Sequence, residues 1–278
     1  MASNRLWTYI GSQRANFGQC VVASLTKAGQ DEVNVKVNFD SKGLTLTPGL
    51  EHDLVLRHPP FCPVLEANEV QGVTGHVAVS SAVILESSDK KVLITRRPKH
   101  MRTFPDVWVP PGGGCEAGET ILQAGLREVR EETGLCVDVD KSTVQPLCLW
   151  ESVYPPILSK GKPKRHSIVV YFHAKIGMSA EVALANVTLD PEETNACAWL
   201  DLEVLRLATN YGLELDASKT IVIHELVDNT LTPTLRDLSF IRAEVPLSGI
   251  VDVERISTGT RFALEQFLLK VYHSSSSL

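Results

Sequence analysis

The stretch "GGGCEAGETILQAGLREVREETGL", Gly112 to Leu135, holds the glutamates Glu116, Glu119, Glu128, Glu131 and Glu132 against the arginines Arg127 and Arg130. On a helix, Glu128, Glu131 and Glu132 stand at i, i+3 and i+4 and share one side. Like charges at that spacing destabilise an isolated helix by a few tenths of a kcal/mol. A bound divalent cation relieves the repulsion. Mg²⁺ is a hard ion that takes oxygen ligands and keeps positions for water and phosphate oxygens. A helical carboxylate cluster therefore suits phosphate chemistry, in which charge is neutralised and a water activated. The plainer alternative is a solvated acidic face paired with surface arginines.

The wider spacing narrows the choice. Gly113, five residues, Glu119, seven residues, then Arg127-Glu128-Val129-Arg130-Glu131-Glu132-Thr133-Gly134-Leu135 matches the Nudix box at every defined position. On this box the chain is identified as a member of the Nudix hydrolase superfamily. The resemblance implies an α/β (α+β) fold, an α/β/α sandwich with a mixed β-sheet that carries the box as loop, helix and loop. It implies hydrolysis of a nucleoside diphosphate linked to another moiety. It also implies Mg²⁺ or Mn²⁺ held by Glu128, Glu131 and Glu132, with Arg127 orienting a box carboxylate, Glu119. A carboxylate acting as general base must take a proton from water. Glu131 is one candidate. Glu193, in "DPEETNACAWL", is the other, because members of the family often place a catalytic glutamate shortly before a tryptophan-containing strand, here Trp199.

Further stretches, "RHPPFCP", "VLITRRP", "VWVPPGG", "LWESVYPP" and "ISTGTRFAL", resemble a subgroup of the family regarded as hydrolases of methylguanosine-capped RNA. That implies a decapping reaction that releases m7GDP. A small-metabolite diphosphatase acting on coenzyme A or a dinucleotide is the alternative. A non-catalytic binding module is a third reading, against which the intact set Glu119, Arg127, Glu128, Glu131 and Glu132 counts. A nucleotide-containing substrate, with capped RNA as the specific candidate, needs cations. Arg97 lies upstream of the box, and "SKGKPKRH" supplies Lys164 and Arg165; these can line a phosphate track or an RNA strand.

These residues need a scaffold to position them. The chain has 278 residues, 44% hydrophobic and 22% charged, enough for a normal globular core. A net charge of −6 argues against broad, non-specific nucleic-acid binding. The N-terminus has no apolar secretory run and the longest mostly apolar run is too short to span a bilayer, so an intracellular, cytoplasmic setting without membrane partners is expected. Six scattered cysteines without a C-x-x-C pair point to reduced thiols. Residues 1–72 are expected to form a β-rich module and linker, with strands at "QCVVASL", "VNVKVNF" and "LTLTP". The hydrolase domain is expected over 73–216, with strands "HVAVSSAVIL" and "KKVLITRR" and a helix Thr120–Thr133 that ends on Gly134. Leu122, Gly125, Leu126 and Val129 are that helix's expected core face, opposite the glutamates. Residues 217–278 are expected to be an extension with a final amphipathic helix, capped by Thr258 or Thr260, and a disordered serine tail.

Overall fold

The computed structural model describes residues 5–27, 29–40, 42–67, 75–210, 212–214, 219–248 and 253–273. The end of the expected linker, residues 68–72, the first two residues of the expected hydrolase domain, 73–74, and the serine tail lie outside the described residues. The N-terminal elements are β1 (Trp7–Ile10), β2 (Gln13–Arg14), α1 (Val21–Leu25), β3 (Glu32–Asp40), β4 (Gly43–Pro48), β5 (Leu54–Arg57) and α2 (Pro63–Glu66). Next come β6 (Ala78–Glu86), β7 (Val92–Arg96), β8 (Val107–Val109), β9 (Gly112–Gly114) and α3 (Ile121–Thr133). They are followed by β10 (Thr143–Tyr154), β11 (Arg165–Lys175), α4 (Ala180–Leu184), β12 (Ala196–Leu200) and α5 (Leu202–Thr209). The last are β13 (Thr220–Val227), β14 (Thr230–Asp237), α6 (Ser239–Arg242), β15 (Arg255–Ile256) and α7 (Thr258–Phe267). No helix is long and apolar enough to cross a membrane among the described residues.

The strands join in the order β14-β13-β12-β7-β6-β11-β10-β5-β3-β4-β1-β2. Trp7 also pairs with Ala78, linking β1 to β6, so β6, β11, β10, β5, β3, β4 and β1 close into a ring. Strands from both sides of the expected linker thus share one sheet, joined where Leu56 and Arg57 run parallel to Leu149 and Trp150. Leu44, Leu46, Leu56, Leu149 and Ile168 are fully buried in the core of that ring. Each such side chain contributes roughly 1.5–3 kcal/mol through burial.

Along β6, successive residues face opposite sides. Ala82 and Ile84 pack with Leu205 of α5 and Phe267 of α7. Val83 and Leu85 pack with Val129 of α3 and Ala183 of α4. Helices therefore cover both faces of a mixed sheet, the expected α/β/α sandwich.

Three local expectations are corrected. The run "QCVVASL", read as a strand, is the helix α1 from Val21. Its β-branched residues are overridden from a distance: Glu151 of β10 accepts from the Val21 N–H at 2.7 Å and the Val22 N–H at 2.9 Å, satisfying first-turn donors with a buried carboxylate. The cap of α7 is Ser257, whose Oγ accepts from the Thr260 N–H at 3.0 Å. Helix α3 has its expected C-terminal glycine, Gly134 at φ 72°, and a Thr120–Gln123 capping box. Its buried face, however, includes Ile121, Ala124, Gly125, Glu128, Val129 and Glu132, whereas Leu122 and Leu126 are only half-buried. Glu128 and Glu132 therefore lie on the inner side of the helix. They are tolerated there because N–H, hydroxyl and guanidinium groups meet them.

Candidate active site

Glu128 and Glu132 are one helical turn apart, 8% and 3% exposed. Glu132 Oε1 accepts from the Gly112 N–H at 3.0 Å, and its Oε2 accepts from the Thr95 hydroxyl at 3.3 Å. Gly112 is on β9, which pairs with β6, and Thr95 is on β7, so two strands hold one carboxylate. Burial pushes the Glu132 carboxyl up to about 8; the Gly112 N–H opposes that rise and the neighbouring Glu128 reinforces it. Burial likewise raises Glu128, against the pull of Arg127.

Glu193 joins them from the loop between α4 and β12. One oxygen each from Glu128, Glu132 and Glu193 lie within 4.8 Å of one another. The loop is tied to the helix it faces: the Thr194 hydroxyl donates to Glu132 O at 3.1 Å, and the Asp190 N–H donates to the same carbonyl at 3.3 Å. On its other flank, Arg96 Nε donates to Asn195 Oδ1 at 2.9 Å. Arg96 is in turn held by Glu225 and Glu254 of the C-terminal segment. Three converging carboxylates, two of them buried, form an all-oxygen donor set that fits a hard divalent cation.

Arg127 organises the outer side. Its Nε and Nη2 donate to the two oxygens of Glu119 at 3.1 and 3.0 Å, and Nη1 donates to Glu128 Oε1 at 2.9 Å and Glu131 Oε2 at 2.7 Å. Burial works against it, yet the Arg127 guanidinium and the Glu116 N–H hold the Glu119 carboxyl below its usual value. The Glu131 side chain is 52% exposed and lies outside the converging triad. The structure thus brings Glu128, Glu132 and Glu193 together and sets Glu119, Arg127 and Glu131 around them.

Gly113 faces Glu128 so closely that a Cβ on it would lie 2.4 Å from Oε1 and 2.5 Å from Cδ. Gly113→Ala is therefore expected to displace that carboxylate. We expect at least a tenfold loss in kcat and a weaker response to Mn²⁺, with little change in melting temperature, all read from steady-state kinetics and a melting curve.

The carboxylates open into a cavity of about 920 Å³. Arg97, Lys164 and Arg165, expected from the sequence to meet phosphate, all line it. Arg97 sits in the field of Glu132, Glu193 and Glu128, and burial lowers its pKa. The cavity wall also includes Trp150, Tyr154 and Phe104, the last two edge to face at 4.9 Å. Thr95 and Gly112 were not foreseen as site residues. Their roles depend on strand pairing across the sheet, which leaves no local signal.

Residues 76–218 match the NUDIX domain family. A Danio rerio protein named m7GpppN-mRNA hydrolase NUDT17 is 34% identical over 278 residues, spanning 94% of this chain and 92% of the relative. A Xenopus laevis protein of the same name is 40% identical over 226 residues, spanning 77% of this chain and 75% of the relative. A Homo sapiens protein of that name is 38% identical over 237 residues, spanning 80% and 72%.

Proposed function

We propose, for a chain that belongs to the NUDIX family and hydrolyses phosphoric anhydride bonds, that the substrate is methylguanosine-capped RNA, cut to release m7GDP. One observation supports this most: the acidic triad opens into a large cavity that also holds Arg97, Lys164 and Arg165. Carboxylates for an ion and cations for further phosphates occupy one space. Relatives that align along most of their length carry the name m7GpppN-mRNA hydrolase.

Glu128, Glu132 and Glu193 would hold Mg²⁺ or Mn²⁺. When bound, the cation neutralises phosphate charge and makes a water more acidic. Arg127 fixes Glu119 and Glu128 and keeps the box loop in place. Arg97 adds positive charge for the phosphates. Glu193 lines the cavity and has two oxygens, so one can face the ion while the other takes the proton from the attacking water. Glu131, tied to Arg127 and half in solvent, is the weaker base. Glu193→Gln is expected to lower kcat by roughly 10²–10³-fold with KM little changed, and Glu131→Gln by less than about tenfold. The reverse ranking would move the role to Glu131.

The substrate is tested by incubating the full chain and Mg²⁺ with capped RNA, coenzyme A and NADH in parallel. Release of m7GDP from capped RNA, at a kcat/KM well above the two metabolites, is expected. Cleavage of the metabolites but not the RNA would make the chain a small-molecule diphosphatase. No cleavage of any of the three would favour a binding role.

A further inference from the structure

Consecutive residues of β7 serve different parts of the site. Thr95 donates to Glu132, and Arg97, which follows the strand, lines the cavity. Arg96 lies between them. Alternation along a strand sends its side chain to the side of the sheet opposite Thr95. It does not line the cavity. Its charge is also balanced locally. Glu225 at 2.9 Å, Glu254 at 3.2 Å and Asp106 at 3.9 Å surround the guanidinium, and Arg236 and Lys99 pair with the same three carboxylates. A cation enclosed in this way is poorly suited to take a substrate phosphate and well suited to orient a neighbour.

Each nitrogen of the Arg96 guanidinium has an acceptor. Nη1 donates to Glu254 Oε1 at 3.2 Å and Nη2 donates to Glu225 Oε1 at 2.9 Å, which turns Nε towards Asn195 Oδ1 at 2.9 Å. The fork is planar, so fixing two nitrogens fixes the third. Glu254 is fixed in turn, because Trp108 Nε1 donates to its Oε1 at 2.9 Å and Arg236 Nη2 donates to its Oε2 at 2.7 Å. Glu225 is on β13 and Glu254 immediately precedes β15, so both follow the matched stretch 76–218.

Asn195 is held from the main chain as well. Its N–H donates to Arg96 O at 3.0 Å and its carbonyl accepts from the Leu226 N–H at 2.9 Å. Glu193 lies two residues earlier. Glu132 is held through its own oxygens by Gly112 and Thr95, and Glu128 by Arg127. Among the described residues no hydrogen bond holds the Glu193 carboxylate. Its place is set by its backbone, and the backbone by the anchors on each side. Asp190 and Thr194 meet Glu132 O, and Asn195 meets Arg96.

We infer that Arg96 is a positioning residue for Glu193, oriented by Glu225 and Glu254, so that the segment after the matched domain takes part in turnover without touching substrate. This rests on the reading of Glu193 as base and ion ligand, and not on which substrate is cut.

The test places Arg96→Gln in the full chain, once with Glu193 and once with Glu193→Gln. It measures kcat and KM on whichever of capped RNA, coenzyme A and NADH is cleaved, and Mn²⁺ affinity in all cases. With Glu193 present, Arg96→Gln is expected to lower kcat by roughly 10- to 30-fold with KM within about twofold, and to weaken Mn²⁺ binding by roughly three- to tenfold. In the Glu193→Gln chain it should change each quantity by less than about twofold, because no carboxylate is left to place. Arg96→Lys should recover part of kcat, since it keeps the charge but reaches fewer partners. Glu254→Ala should lower kcat by roughly three- to tenfold, and by less than about twofold once Arg96→Gln is present. If Arg96→Gln does not fold by its melting curve, Asn195→Ala takes its place. It removes the acceptor, leaves the charge cluster paired, and should show the same dependence on Glu193. Equal losses with and without Glu193, a rise in KM alone, or no loss in either chain would overturn the proposal. If Glu193→Gln itself keeps wild-type kcat, or no substrate is cleaved, the base reading fails and Mn²⁺ affinity decides the arginine's role. A loss confined to the chain with Glu193 then supports it, and an equal loss or none overturns it.

Discussion

Glu132→Gln is expected to abolish turnover, by roughly 10³-fold or more, and at the same time to raise the melting temperature of the metal-free protein at pH 8. Both effects come from one carboxylate that is 3% exposed beside Glu128. Without a cation, ionising Glu132 places a second negative charge in a buried site, and burial pushes its pKa up to about 8. The sign follows from linkage. A carboxyl whose folded pKa lies above its unfolded value, near 4.5, stabilises the fold fully below that lower value. The stabilisation is lost as pH rises towards 8. Metal-free wild-type protein should therefore melt lower at pH 8 than at pH 6. Glutamine has no proton to lose and can still accept from the Gly112 N–H, so the variant should melt at a nearly constant temperature over that range. The gain at pH 8 should be roughly 3–8 °C, corresponding to about 2 kcal/mol. Mg²⁺ or Mn²⁺ should lift wild-type protein at pH 8 and lift the variant much less. The same proton competes with the ion, so metal affinity should increase between pH 6 and pH 8. A variant that keeps the wild-type pH dependence of melting would show that Glu132 is not the titrating group.

Arg127→Ala should damage both stability and rate. The side chain, 26% exposed, donates to Glu119, Glu128 and Glu131 and to Gly114 O. Removing it leaves three carboxylates without their shared counter-charge and frees the box loop from the helix. A loss of about 2–4 kcal/mol is expected, since breaking a charge cluster costs more than its net contribution when intact. Glu128 would no longer be fixed beside Glu132, and kcat/KM should fall by roughly 10²–10³-fold. Arg127→Lys should restore part of the stability but not the rate, because an ammonium group cannot span both Glu119 oxygens while also reaching Glu128. Melting curves and steady-state kinetics check both. Near-normal kinetics for Arg127→Ala would separate the arginine from the site.

The box was legible because its chemistry is local. Glu128 and Glu132 lie a turn apart on one helix, and Thr120 and Gly134 mark where that helix begins and ends. The strands β6 and β7 were legible for the same reason, through apolar runs around a polar turn. Contacts made across the sheet were not. Which side of α3 faces inward depends on the Gly112 N–H and Thr95 reaching Glu132, and these groups lie on β9 and β7. The helical state of Val21–Leu25 depends on Glu151, far along the chain. The place of Glu193 beside the box helix depends on the Thr194 hydroxyl meeting a helix carbonyl, although the residue itself was a candidate from the sequence. The contact of Arg96 with Asn195 carried no signal, because only the pairing of β7 with β12 sets the two side by side.

The most direct measurement is titration of the full chain with Mn²⁺ at pH 8, followed by the paramagnetic signal of the free ion, with m7GDP present. Saturable binding should occur in wild-type protein and weaken at least tenfold in each of Glu128→Gln, Glu132→Gln and Glu193→Gln, while Glu116→Gln binds as wild type does. Binding that is absent from wild-type protein, or unchanged in all three variants, would contradict an acidic triad that holds the ion for anhydride hydrolysis.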